Sequence, residues 1–117
     1  MTQTTLYHNP RCSKSRATLA LLQEHGIDPQ IVNYLEQPPS IAELKVLLEQ
    51  LGLTDARALM RQGEAEYTNL GLANPALTQD TLLAALAEHP RLIERPIFIR
   101  GHRPIIGRPA ERVLDIL

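Results

Sequence analysis

The run Thr4-Thr5-Leu6-Tyr7-His8 is β-branched and aromatic, stops at Asn9-Pro10, and gives way at once to helix signals. Ser13 or Ser15 can cap a helix reaching His25, with Ala17, Leu21, Leu22 and His25 as an apolar-leaning stripe and Gly26 as its stop. Gln30 to Leu35, centred on Ile31, Val32 and Tyr34, predicts a second strand. Strand, helix, strand is the strongest constraint in the chain, because a right-handed crossover makes the two strands parallel. It also puts Cys12 in the loop at the carboxyl end of the first strand, where open α/β sheets place their ligand sites.

Pro38-Pro39-Ser40 then opens an amphipathic helix, since Ile41, Leu44, Leu47, Leu48 and Leu51 recur at three to four residues before Gly52 closes it. Short helices are expected over Asp55 to Met60 and Glu64 to Leu70, and a longer one over Thr78 to His89 with Thr78 as cap and Leu82, Leu83 and Leu86 facing inward. Pro96 to Arg100, Gly101-His102 and Arg103 to Ile106 read as a β-hairpin with a glycine-led two-residue turn, and Pro104 suggests that its second strand is an edge. In that register Arg100 faces Arg103, and the same pairing carried outward sets Arg95 opposite Arg108. Pro109 suits the start of a last helix that buries Val113, Leu114 and Leu117. The expected fold is α/β, a mixed sheet flanked by helices, in one domain over residues 1–117 with a helical insertion at about 40–89.

Lys plus Arg number 12 and Asp plus Glu 13, a formal charge of −1, so no global electrostatic argument favours nucleic acid or an anionic membrane. No apolar run approaches the length of a membrane span and the N-terminus lacks a signal-peptide profile, which points to a cytoplasmic protein. One cysteine can neither close an intrachain disulfide nor build a multi-thiolate metal site. Cys12 is therefore a packed filler or a lone reactive thiol. Its neighbours Pro10-Arg11 and Ser13-Lys14 favour the reactive reading, since a helix N-terminus and nearby cations lower a thiol pKa.

Position 15 is serine, so a C-x-x-C redox pair is absent, and a phosphatase-type C-x5-R loop would need arginine where Thr18 stands. No glycine pattern matches a dinucleotide or Walker loop. His8 either orients or deprotonates Cys12 or is a strand residue satisfied by backbone. Arg95-Pro96 and Arg108-Pro109 fix where two guanidinium groups leave the backbone, and Arg61 follows a short apolar turn; such forks bind tetrahedral oxyanions well. Arg57, Arg91, Arg100 and Arg112 are expected at the surface.

Tyr7-His8-Asn9-Pro10-Arg11-Cys12-Ser13-Lys14-Ser15-Arg16, Tyr34-Leu35-Glu36-Gln37-Pro38-Pro39, Arg57-Ala58-Leu59-Met60-Arg61, Arg95-Pro96-Ile97 and Gly107-Arg108-Pro109-Ala110-Glu111 together resemble the glutaredoxin-coupled arsenate reductase family. The match runs in order along nearly the whole chain. The resemblance implies a thioredoxin-like fold and a catalytic Cys12 that attacks arsenate, helped by His8. It further implies that Arg61, Arg95 and Arg108 bind the oxyanion, and that the peptide before Pro96 is cis. Ser15, Lys14 and Arg16 are the residues expected to stabilise the thiolate. No tightly bound cofactor or metal is implied; glutathione enters as co-substrate and glutaredoxin as protein partner. A glutathione-dependent reductase of another substrate and a non-catalytic redox-sensing or partner-binding module are the alternatives.

Overall fold

The computed structural model describes residues 3–117. The chain forms two compact units, one made of the residues up to Gln37 together with Arg95–Leu117, the other of Pro38–Glu94. The stretch expected as a helical insertion falls inside the second unit.

In the first unit, β1 (Thr4–Tyr7), β2 (Gln30–Val32), β3 (Ile97–Arg100) and β4 (Arg103–Ile106) form one mixed sheet in the order β2-β1-β3-β4. β1 and β2 are parallel, as the strand–helix–strand pattern requires, whereas β1 with β3 and β3 with β4 are antiparallel. The hairpin keeps the expected register, Arg100 opposite Arg103 and Ile97 opposite Ile106. Pro104, which cannot donate to a ladder, sits on an edge strand. Leu6 and Phe98 are cross-strand partners and therefore share a sheet face. They meet Leu22 of α1 (Ser13–Glu24) and Val113 and Ile116 of a terminal 3-10 helix (Ala110–Ile116) in one buried cluster.

Several boundaries differ from the sequence expectation, each for a local reason. β2 ends at Val32 because Asn33 turns the chain: its carbonyl accepts from the N–H groups of Glu36 and Gln37, and its side chain accepts from Leu35 N. The face of α1 that is buried carries Ser15, Thr18 and Leu22, not the expected stripe through Ala17 and His25, which are exposed. The closing helix is 3-10: Val113 is buried and Leu114 packs partly buried against the core as expected, whereas Leu117 is exposed and Ile116 is buried in its place. The peptide before Pro96 is cis, and so is the one before Pro109.

The second unit is helical: α2 (Ile41–Leu51), a 3-10 turn (Ala56–Leu59), α3 (Ala65–Asn69), α4 (Gln79–Glu88) and a 3-10 turn (Pro90–Leu92). Ser40 and Glu43 close a capping box at the start of α2, and Gly52 ends it in the left-handed region at φ 72°. α2 packs on α4 through Leu44, Leu47 and Leu48 against Leu82, Leu83 and Leu86, while Ile41, expected on the inner face, is exposed. Arg57 is not the surface charge expected. It pairs with Asp55 and donates to the carbonyls of Leu72 (2.7 Å) and Asn74 (2.7 Å), tying two loops together. Among the described residues no helix is long and apolar enough to cross a membrane.

One contact in the first unit is tight enough to predict. A methyl added at the buried Gly107 would meet Pro96 Cγ at 3.0 Å and Thr18 Oγ1 at 3.1 Å, and neither a proline ring nor a helical threonine yields easily. Overpacking of this kind costs roughly 1–3 kcal/mol. Urea unfolding of Gly107→Ala should show that loss, whereas Gly63→Ala, which meets nothing within 4 Å, should unfold like the parent.

Candidate active site

Cys12 is half-buried at the N-cap of α1, its backbone extended at φ −94° and ψ 122°. Local chemistry holds it there. Asn9 accepts from Cys12 N with its carbonyl (3.0 Å) and from Arg11 N with its side chain (3.0 Å), while Cys12 O accepts the first helical bond from Arg16 N (3.0 Å). The N–H groups of Lys14 and Ser15 belong to the first turn and have no partner in the helix ladder, so they are available to the sulfur. Partial burial opposes ionisation of the thiol. The Ser15 and Lys14 N–H groups, then the charge of Arg95 and a hydrogen bond from its side chain, outweigh that and hold the Cys12 pKa below its ordinary value.

Of the three residues expected to stabilise the thiolate, Ser15 and Lys14 act on the sulfur and Arg16 is turned elsewhere. Lys14 and Ser15 contribute backbone amides. Arg16 directs its guanidinium at the Pro10 carbonyl (3.1 Å) and bears on His8 rather than on the sulfur. The side-chain cation on Cys12 is Arg95, expected only to bind oxyanion. The geometry that delivers it is sheet pairing: Tyr7 lies opposite Ile97, so the loop leaving β1 and the residues entering β3 meet at one end of the sheet. Arg108 completes the group, its Nε donating to the Arg95 carbonyl at 2.7 Å, and Gly107 N donates to Pro96 O at 2.9 Å. The two Arg-Pro dipeptides are therefore neighbours, joined side chain to backbone.

His8 Nδ1 lies 2.7 Å from Ser15 Oγ, and Asn9 N donates to the same oxygen at 3.1 Å. Ser15 is fully buried and has one proton to give. Asn9 N occupies one lone pair of that oxygen, and the bond to His8 Nδ1 runs in the direction the imidazole tautomer sets. Burial first, and the Arg16 charge second, hold the His8 pKa below its ordinary value. His8 is thus bonded to the serine whose backbone amide faces the sulfur. The sequence singles out His8 and Ser15 without their pairing and does not single out Asn9, although an Asn-Pro turn is a signal for such side-chain-to-backbone bonds.

Arg61 lies in the second unit. There its guanidinium pairs with Glu64 at 2.6 Å, its N–H donates to Leu92 O at 2.7 Å, and Arg91 approaches the other Glu64 oxygen at 3.9 Å. Among the described residues no group of three or more His, Cys, Asp or Glu is placed to hold a metal. His25 caps α1 by binding the Leu21 carbonyl through Nδ1.

The lowered thiol makes a direct prediction. Iodoacetamide alkylation of Cys12 should follow a pKa below the free-thiol value of about 8.5, slowing as pH falls through that lowered value. An alkylation pKa at or above about 8.5 would contradict the arrangement.

A mixed four-stranded sheet with the chain's single cysteine at the N-cap of its first helix defines a thioredoxin-like protein. The particular family is the ArsC family, which the chain matches over residues 7–116 and to which it belongs. It is 48% identical over 117 residues to the arsenate reductase of Neisseria meningitidis, covering 100% of both chains. It is 50% identical over 112 residues to that of Haemophilus influenzae, covering 96% of this chain and 97% of the relative. The arsenate reductase structure from Vibrio cholerae superposes with a TM-score of 0.96 at 53% identity, covering 99% of this chain and 98% of the other.

Proposed function

We propose that the chain is an arsenate reductase, an oxidoreductase that converts arsenate to arsenite in the cytoplasm with glutathione and glutaredoxin as reductants. The observation that carries this is the Cys12 thiol at the N-cap of α1, its pKa lowered by two helix amides and by Arg95. That site offers a nucleophile and a guanidinium in one place, and membership of a family whose relatives bear the arsenate reductase name supports the substrate.

In this reading Cys12 Sγ attacks arsenic, forming an S–As bond while an As–O bond breaks and the oxygen leaves as water. Arg95 and Arg108 neutralise charge on the remaining oxygens, and Arg61 takes the same role, exchanging its Glu64 partner for the oxyanion. Glutathione then adds through its sulfur and a second water departs. When a glutaredoxin thiolate removes that sulfur as a mixed disulfide, the electron pair of the As–S bond stays on arsenic, which falls from As(V) to As(III). Hydrolysis of the Cys12–As bond releases arsenite and returns the thiolate. One cysteine can form the adduct and cannot resolve it, so the electrons come from outside the chain. Residues 1–117 act as one domain in this scheme, and no tightly bound cofactor takes part.

The test is arsenite production from arsenate in an assay coupled through glutathione and glutaredoxin. Turnover should require both reductants. Turnover with no thiol reductant present would overturn the mechanism, and a chain that forms a Cys12–glutathione adduct without releasing arsenite would be a reductase of another substrate.

A further inference from the structure

Next to the turn that carries Cys12 is a cleft of about 450 Å³, lined by Lys14 and Ala17 of α1 and by Gly107, Arg108, Pro109, Ala110 and Glu111. Its size is that of a site for a small organic molecule, far more than a compact tetrahedral ion needs. Oxyanion binding therefore leaves most of it unused.

We propose that this cleft seats glutathione. The inference rests on the reading that a glutathione thiol resolves the Cys12 adduct, and it assigns that thiol its place. The argument is charge complementarity. The lining carries two cations, Lys14 and Arg108, and one carboxylate, Glu111. Glutathione carries two carboxylates and one ammonium, the same pattern with the signs reversed. Between the charged groups the wall is made of Ala17, Gly107, Pro109 and Ala110, whose small side chains leave room for an extended peptide. Position supports the same occupant. The backbone amide of Lys14 faces the Cys12 sulfur, and Arg108 is bonded to the Arg95 carbonyl while Arg95 acts on that sulfur. A tripeptide anchored on these residues is held beside the thiol it must approach, and Arg108 is shared between the cleft and the oxyanion. Glu111 has no part in the chemistry at arsenic, so it isolates the seat from the reaction.

The decisive experiment uses S-methylglutathione, which has the charges of glutathione and cannot react. Titrated into the full chain, it should shift the amide resonances of Ala17, Gly107, Ala110 and Glu111. Lys14→Gln and Glu111→Gln should each weaken that binding about tenfold, the usual order for one charged hydrogen bond. Acetylating the ligand's amine should cost the parent chain the same factor and cost Glu111→Gln nothing. In the coupled assay Glu111→Gln should raise KM for glutathione about tenfold and leave KM for arsenate unchanged. Resonance shifts that avoid the cleft, or a Glu111→Gln chain with parental affinity and KM, would overturn the seat while leaving arsenate reduction intact. Binding in the cleft by a chain that does not reduce arsenate would uphold the seat and sink the arsenate reading.

Discussion

Cys12→Ser should abolish arsenate reduction while leaving the unfolding midpoint where it was. Serine is nearly isosteric with cysteine, and the position is half-buried at a helix N-cap, where serine is among the preferred residues. The fold therefore loses nothing. The chemistry loses its nucleophile: a hydroxyl is far less acidic than a thiol, and the same two amides and one guanidinium cannot bring it to an oxyanion at neutral pH. No other cysteine exists in the chain to substitute. Arsenite release by the coupled assay and circular dichroism melting of the same preparation check both halves of the expectation. Measurable turnover by a folded Cys12→Ser chain would remove Cys12 from the centre of the mechanism.

The second large effect belongs to Arg95, which carries two functions on one side chain. It lowers the thiol pKa by charge and by a hydrogen bond, and in the proposed mechanism it also holds the oxyanion. Arg95→Ala should raise the alkylation pKa of Cys12 and lower kcat/KM for arsenate by roughly ten- to a hundredfold, the range of one charged hydrogen bond. Arg95→Lys should restore part of the pKa shift, since the charge returns, and less of the efficiency, since the two-pronged fork does not. Arg108→Ala is the contrast. Arg108 grips the Arg95 backbone, so its loss should lower efficiency with a smaller change in the alkylation pKa. An unshifted Cys12 pKa in Arg95→Ala would show that the guanidinium does not reach the thiol in solution.

These two results test different links. The serine variant asks whether the sulfur is the nucleophile, and the arginine series asks what makes it one at neutral pH. The amides of Lys14 and Ser15 persist in every variant, so some thiolate stabilisation should survive even Arg95→Ala.

Much of this protein is legible along the chain because the determining interactions are between near neighbours. The capping box of Ser40 and Glu43, the stop at Gly52, the turn at Gly101-His102 and the register of β3 with β4 all depend on residues within a few positions of one another. So does the placement of Cys12 between a strand and a helix, which marks it as the candidate nucleophile. The tertiary structure decided what distant segments do to that cysteine. Nothing local states that β3 joins β1 antiparallel with Tyr7 opposite Ile97, and it is this pairing that brings Arg95 to the sulfur. Burial likewise decided the face of α1: the apolar spacing favours a stripe through Ala17 and His25, whereas packing turned Ser15 and Thr18 inward, where Ser15 could be satisfied by His8 and Asn9. A buried hydroxyl is stable only with a partner, and its partners come from the neighbouring strand end, which no helical periodicity describes.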